Sequence, residues 1–499
     1  MRSIDTRTAA LWVTAGALAV LAAACARTGS SGQAAAKAPN VLLLTIDTLR
    51  LERVTCYGGP AGNTPAIDAL AGGGVRFERV QATRGLTWPS LTSLLTGLYP
   101  RTHEVRLNGH QLDERFATLP EILQAAGYET GGFLSNMCDA PNRGLDTFFC
   151  AWWEKTGRPD RPERRQWASH DQPAWDRSIT TQAEAFLRRP HPKPFFAWVH
   201  YIDPHKPYDP VADFVRDEYD GSFLPDTEVL DRRTLDGKPL TAAEKIQLLA
   251  AYDSQVSGVD AHIGRLLSVL DSMHLAGDTL VILAADHGEE LGDHNTYMYH
   301  SASVYQQVLS IPWILRWPGH LPAGRVIGAD VASVDIAPTI LSLLDLDSPD
   351  AMEGRSRVAL IRAEPGAGGA ERTFAEWQAQ ILVVGEGPYR FVWNPLGVET
   401  HGLPFRKHDG HGFVIPEVAL YDLRDDPLEQ FNVLDARPGV AARLKDAACR
   451  FITEKPFATP ASSRIPRDVK ARLRALGYVQ DTPAPEEEEG IDQFCETER

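Results

Sequence analysis

The sequence lacks a basic excess. Its 50 Lys and Arg stand against 66 Asp and Glu, a net charge of −16. Wrapping DNA or RNA needs a basic footprint for the phosphates, so nucleic acid is excluded as a partner, while a local cationic or metal-lined pocket for a small anion is not. Cysteine is scarce, six residues with no CxxC pair, which argues against zinc ribbons and dithiol redox sites. Beyond the N-terminal segment there is no apolar run of roughly 18 residues, so no later stretch reads as a transmembrane helix. No internal repeat is visible. What remains is globular: 43% hydrophobic and 23% charged residues, 11 Trp, and 40 Gly with 35 Pro describe a packed, loop-rich body rather than a disordered or collagenous chain. The 499 residues predict one large domain and a lesser one, since domains run about 100 to 200 residues and large α/β cores extend further.

The N-terminus reads as an address. Arg2 and Arg7 precede an apolar run from Ala9 to Leu21, followed by Ala22, Ala23, Ala24 and Cys25, the order of an export signal. Cys25 after small residues resembles a bacterial lipobox, although Ala22 stands where Leu is more usual. The expectation is a signal peptide over 1–24, a lipidated Cys25 with a flexible tether over 25–38, and an exported body anchored to a membrane of the cell envelope. Simple secretion is the other reading. An exported compartment permits disulfides. Cys138 and Cys150 are near enough in sequence to close a loop, Cys449 and Cys495 would tie the acidic end to the body, and one of the five remaining cysteines stays free; the alternative is unpaired thiols.

Continuous apolar runs at Asn40 to Ile46, Phe195 to Val199 and Thr279 to Ala285 predict buried parallel strands, with a weaker one at Thr130 to Leu134. Between them, Thr118 to Ala126 and Ala242 to Met273 show helical spacing, the latter through Ile246, Leu249, Val256, Ile263, Leu266, Leu267 and Leu270. This alternation predicts a doubly wound α/β core over 39–355 with helices on both faces. Past Gly354 the texture changes to short β-prone pieces, Ile381 to Val384 and Tyr389 to Trp393, then a helical Asp468 to Leu476. That predicts a smaller C-terminal α+β subdomain over 356–480, ending in an acidic tail over 481–499. An Arg-, Trp- and Pro-rich insertion from Trp152 to Trp175 is placed to line a pocket mouth or to form a plain surface loop.

Ligands of open α/β sheets gather at the carboxyl ends of strands. Asp47 follows the first apolar run; Asp286 and His287 follow the third; His200, Asp203 and His205 follow the second. Carboxylates and imidazoles converging from separate strands make a divalent metal site, although any single strand-end Asp is more often a turn residue. The stretch TWPSLTSLLTG adds a helix start, with Pro89 in the first turn and Gly97 at the end. Thr87 then lies at a helix N-terminus, where free N–H groups favour a tetrahedral anion and a metal would activate its hydroxyl. The plain alternative is that Thr87 is an N-cap.

The ordered blocks NVLLLTIDTLR, NTPAIDALAGGGVRFERV, TWPSLTSLLTGLYPRTH, HYIDPHKPY, DHGEELGDH and LYDLRDDPLEQFNVL resemble the sulfatase family of the alkaline phosphatase superfamily, over about residues 39 to 480. The resemblance implies a central mixed sheet, a metal beside a nucleophile at a helix N-terminus, and attack on a sulfate or phosphate ester. Thr87 matches the nucleophile position; Asp47, Asp286 and His287 match metal ligands, with Thr87 completing the set. His103 matches a basic pocket position, His205 the histidine that contacts the ester or protonates the leaving oxygen, and His300 falls where many sulfatases place a pocket lysine. For these three, a core or surface histidine is the plain alternative.

The departures matter as much. Formylglycine sulfatases read Cys or Ser, any residue, Pro, Ser, Arg; here Thr87 and Leu91 occupy the ends of that motif, and GFLSN at 132–136 lies where many carry Lys-Trp-His. His287 stands where calcium sulfatases commonly have Asn. The Asp, Thr, Asp, His set resembles the shell of phosphodiesterases and of phosphoethanolamine or phosphoglycerol transferases in the same superfamily. It implies one divalent metal, zinc or manganese ahead of calcium, and the pattern is compatible with a second. The expected substrate is a small anionic ester, a glycan or a lipid headgroup. A catalytically silent lipoprotein that binds anionic glycans or lipids is the competing class.

Overall fold

Val41 to Leu44 present no polar side chain to either face, so the strand they form must be covered on both sides. The computed structural model places them in β1 (Asn40–Ile46), every residue buried. It describes residues 38–138, 142–151, 172–223, 229–230, 233, 238–294, 297, 300–301, 303–368, 371–378, 380–397, 415–455 and 495. Cys25, the leader, the expected helix at Asp468 to Leu476 and the acidic end apart from Cys495 lie outside those residues, as does most of the 152–175 insertion.

The remaining strands of the large sheet are β2 (Val75–Gln81), β3 (Glu129–Leu134), β4 (Thr147–Cys150), β5 (Phe195–Tyr201), β6 (Thr279–Ala285), β7 (Trp313–Arg316) and β8 (Arg325–Ala332). Their order is β4-β3-β5-β1-β6-β7-β2-β8. All neighbours pair parallel except at β7, which runs against both β6 and β2, so the sheet is mixed. β1, β5 and β6 sit side by side at its centre and are buried throughout, as unbroken apolar runs demand.

Helices α1 (Pro65–Gly72), α2 (Thr87–Thr96), α3 (Leu119–Ala125), α4 (Gln172–Arg188), α5 (Ala242–Ser272) and α6 (Ile336–Leu343) cover it. α4 and α1 both pack on α5, while α2 packs on α6. Capping boxes start two of them, Thr118 with Glu121 and Thr241 with Glu244, each satisfying two N–H groups that the helix leaves without partners. Along α5 the expected inward face holds from Val256 to Leu270. Ile246 departs from it and is 51% exposed, while its neighbours Gln247 and Leu248 are buried in its place. At the start of α4, Trp175 is buried, so this end of the insertion is core rather than pocket rim.

A second sheet, all antiparallel, runs β12-β11-β10-β9 with β9 (Thr373–Trp377), β10 (Ile381–Glu386), β11 (Tyr389–Trp393) and β12 (Val418–Asp422). One face, through Leu382, Val384, Phe391 and Leu420, packs on helix α7 (Pro438–Glu454); the other, through Val383, Val392 and Ala419, packs on Val304, Tyr305 and Leu309 of the main body. This second face matters for function, since it brings β9 against the segment that carries His300. Disulfides join Cys138 to Cys150 and Cys449 to Cys495, with Cα separations of 5.7 and 5.3 Å, and Cys56 is free. Among the described residues no helix is long and apolar enough to cross a membrane.

Candidate functional site

β1 and β6 are neighbours in register, Ile46 beside Ala285, so the residues that follow them emerge together. Asp47 and Asp286 are both completely buried. Asp286 Oδ1 accepts the N–H of His287 at 2.6 Å and that of Thr48 at 3.2 Å. The turn after β1 has a φ of 52° at Thr48, a backbone region costly for a β-branched residue, of order 1–3 kcal/mol. Asp286 Oδ2, by contrast, is buried without a hydrogen-bond partner. Burial pushes the Asp286 carboxyl up to about 8, against the pull of the His287 and Thr48 N–H groups.

His287 has its tautomer set by its own loop. Nδ1 lies 2.8 Å from Gly288 O and donates to it, which leaves Nε2 as the acceptor. Nε2 is 3.5 Å from Asp286 Oδ2 and 3.9 Å from Asp47 Oδ1. Single donor atoms of Asp47, Asp286 and His287 all lie within 4.8 Å of one another. Asn136, from the loop after β3, donates Nδ2 to Asp47 Oδ2 at 3.3 Å and orients that carboxylate.

Thr87 is the first residue of α2, and the cap position belongs to Leu86, with no side-chain cap bond. Instead, Thr87 Oγ1 lies 3.4 Å from His287 Nε2. Ser90, one turn on, ties the helix to the strand end by donating to Asp286 O at 2.6 Å. Asp47, Thr87, Asp286 and His287 are therefore brought together, and the geometry does not use Thr87 as a cap.

The other expected site histidines divide. His300 stacks on His287 with ring centres 4.5 Å apart, and its Nδ1 meets Glu289 Oε1 at 3.1 Å. His205 stands beyond it, 5.3 Å from the His300 ring, and donates Nδ1–H to Lys206 O at 2.8 Å. Burial holds both rings below their ordinary value, His300 at about 3 with help from Lys206 and His205 further under the influence of His300, so neither stands in for a pocket lysine as a fixed cation. His103 lies elsewhere. Its Nδ1 accepts Val105 N–H at 3.0 Å and its Nε2 meets Ser93 Oγ at 3.0 Å. Burial lowers it to about 3. The expectation of a basic pocket group at His103 is corrected: it is a neutral ring that braces the inner side of α2.

Asn108 was missed by the sequence reading. Its Oδ1 accepts Trp88 N–H at 2.9 Å in the first turn of α2, while Nδ2 is buried without a partner. It belongs to a loop with no local pattern, so only the fold brings it there. His200 was noticed only as a strand-end residue. Nδ1 meets Thr45 Oγ1 at 2.9 Å, and Nε2 is buried without a partner.

With this geometry in view, comparisons are informative. The pattern that defines the family described as Sulfatase matches residues 39–346. An ulvan-active sulfatase of Formosa agariphila is 26% identical over 343 residues, covering 65% of this chain and 65% of its own length. An N-acetylglucosamine-6-O-sulfatase of Bacteroides thetaiotaomicron is 24% identical over 481 residues, covering 80% and 83%. Among solved structures, the phosphonate monoester hydrolase of Agrobacterium radiobacter superposes with a TM-score of 0.62 at 21% identity, covering 84% of this chain and 96% of that one, a likeness of fold. The chain belongs to the sulfatase family.

Proposed function

We propose that this chain is a metal-dependent hydrolase of sulfate or phosphate esters in which Thr87 Oγ1, not formylglycine, attacks the ester. The observation that carries this reading is the approach of Thr87 Oγ1 to His287 Nε2 at the edge of the carboxylate and imidazole cluster, without any capping role.

The donor set fits a divalent cation. Asp286 Oδ2 is buried and lacks a partner, His287 presents Nε2, and two carboxylates with one imidazole favour zinc or manganese over calcium. When bound by Asp47, Asp286 and His287, such a cation supplies Lewis acidity at the ester and lowers the pKa of an adjoining hydroxyl. The chain does the rest. Thr87 passes its proton to solvent and its oxygen bonds to the sulfur or phosphorus as the leaving oxygen departs; water then releases the acid and restores Thr87. The α2 N-terminus and Asn108 Nδ2 face the negative charge that gathers on the ester oxygens. His205, with Nδ1–H committed to Lys206 O, has Nε2 as an acceptor; it takes up a proton from solvent when the anionic ester binds and passes it to the leaving oxygen.

Sulfated sugars are the substrate class favoured by relatives such as the N-acetylglucosamine-6-O-sulfatase, whereas the threonine nucleophile favours phosphoryl chemistry. A transferase passing the group to an acceptor alcohol uses the same first step. Retention of Asp47, Asp286 and His287 together, with no packing use for them, supports an enzyme over a silent binder. A panel of aryl sulfate, phosphate monoester, phosphodiester and phosphonate with each added metal tests the proposal, and absence of turnover on all of them with every metal would sink it. The proposed setting is the cell envelope, with lipid on Cys25. Cys25→Ser should move the protein out of the membrane fraction or leave it unprocessed, and unchanged fractionation would remove the anchor.

A further inference from the structure

The turn that follows Asp47 is buried, so its backbone groups must find partners inside the protein. Thr48 faces two ways. Its N–H donates to Asp286 Oδ1 at 3.2 Å, within the carboxylate and imidazole cluster, while its carbonyl turns toward α5 and accepts the Tyr252 hydroxyl at 2.6 Å. The same phenol oxygen accepts the Arg50 N–H at 2.9 Å. One buried oxygen thus bridges the carbonyl of residue 48 and the amide of residue 50. The Tyr252 ring is itself fixed, met edge-on by Tyr208 with ring centres 5.5 Å apart and planes at 77°. Burial pushes its hydroxyl well above the usual phenol range, so it stays a protonated donor. One residue further along α5, Asp253 accepts Arg53 Nε at 2.8 Å, so the helix grips the same segment twice.

This turn does not hold itself. With φ at 52°, Thr48 occupies a region that a β-branched residue keeps only when its surroundings impose it. A relaxed φ would change the angle between its N–H and its carbonyl, so the contacts to Asp286 and to Tyr252 stand or fall together. Packing alone does not call for a phenol oxygen here, since the neighbouring inward residues of α5, Leu248, Val256 and Val259, are plain hydrocarbon. We propose that Tyr252 is a positioning residue of the metal cluster: its hydroxyl holds the strained turn that presents Asp47, and the Thr48 N–H to Asp286, and thereby sets how tightly the cluster takes a divalent cation. The proposal rests on the reading of Asp47, Asp286 and His287 as the groups that hold the metal. It gives α5, which contributes no ligand, the task of preparing the site before the cation arrives.

The test titrates zinc ion, and separately manganese ion, into the metal-free full chain against a chromophoric chelator, at a temperature where every variant is folded. Tyr252→Phe, which deletes only the oxygen, should bind about tenfold or more weakly than the wild type, the loss expected when a partner behind a ligand is removed. His103→Ala, which loosens the other end of α2, should keep the wild-type affinity; an equal fall there would assign the effect to lost stability and overturn the proposal. Thr48→Gly added to Tyr252→Phe should recover part of the affinity, because glycine adopts a φ of 52° without strain. A tyrosine that only fills the core would show no such recovery. Wild-type affinity in Tyr252→Phe overturns the proposal and leaves the metal reading intact, whereas a wild type that takes up neither ion sinks the metal reading and this proposal with it. If Tyr252→Phe does not fold, hydrogen exchange of the metal-free wild type decides. The Arg50 amide should be protected before any cation is added, and free exchange there overturns the proposal.

Discussion

The two ends of α2 are built from the same helix and solve opposite problems. At its C-terminal end the polar groups are matched within the protein. Thr96 Oγ1 donates to Thr92 O, Tyr99 N–H meets Glu353, Arg101 reaches Glu376 through both its backbone N–H and Nε at 2.9 Å, and both ring nitrogens of His103 are engaged. At the N-terminal end, Asp286 Oδ2, Asn108 Nδ2 and the Trp88 indole N–H are buried with no partner in the protein. Unmatched buried polar groups cost about 1–3 kcal/mol each, so a fold keeps several together only where a ligand completes them. The difference separates a site from a brace, although both ends carry histidine and hydroxyl side chains of similar type.

The sharpest way to break that comparison is to remove the hydroxyl at the unmatched end. Thr87→Ala should lower kcat by about a thousandfold or more, some 4 kcal/mol of transition-state stabilisation, with the protein still folded. Thr87→Ser should keep part of the activity, because the oxygen survives. Near wild-type turnover by Thr87→Ala on the best ester would mean that the end of α2 is only a helix terminus. No sulfatase-maturing enzyme should be needed in the expression host.

A second test concerns the cluster itself. Asp286→Asn and His287→Ala should each lose bound metal, measured by elemental analysis of protein purified without chelator, and their melting temperatures should drop only by the stabilisation that the metal gave. The metal should also be pH-sensitive. With the Asp286 carboxyl raised to about 8 in the metal-free protein, a proton competes with the cation below that pH. Metal affinity should therefore weaken as the pH falls through and below about 8, with proton release on binding at pH 7. Affinity flat from pH 6 to 9 would show that Asp286 is already ionised without metal.

The sequence revealed the unmatched end better than the matched one, for a physical reason. Asp47, Asp286 and His287 follow strands so apolar that β1 and β6 are recognisable on composition alone, and a strand's end fixes where the next residues emerge. β2 was not recognised. Its Arg76, Glu78 and Arg79 break the apolar run, since it lies one place from the edge of the sheet, where charged side chains can still reach ion-pair partners such as Asp330. β7, with four residues, is too short to carry a pattern, so the mixed character of the sheet was legible through the family resemblance and not through the strand runs. Asn108 reaches the first turn of α2 from a loop, where no periodicity marks it. His103 misled because histidine after a nucleophile helix suggests a pocket group until its two ring nitrogens are traced.

His103 supplies the mildest test and bears on the matched end. Its Nδ1 takes the Val105 N–H and its Nε2 meets Ser93 Oγ, which also accepts from Thr83, so the ring joins α2 to the turn that follows it. His103→Ala strands a buried backbone N–H and opens a small void, which should cost about 1–3 kcal/mol, read as a lower denaturant midpoint or melting temperature. Turnover measured where the variant is folded should change by no more than a few-fold, because α2 stays anchored near Thr87 by Ser90 on Asp286 O. Protonation should not matter either: with the ring held at about 3, no limb of the pH profile between pH 5 and 9 should vanish in the variant. A fall in kcat comparable to that of Thr87→Ala, with stability intact, would place His103 at the ester after all and erase the distinction between the two ends of the helix.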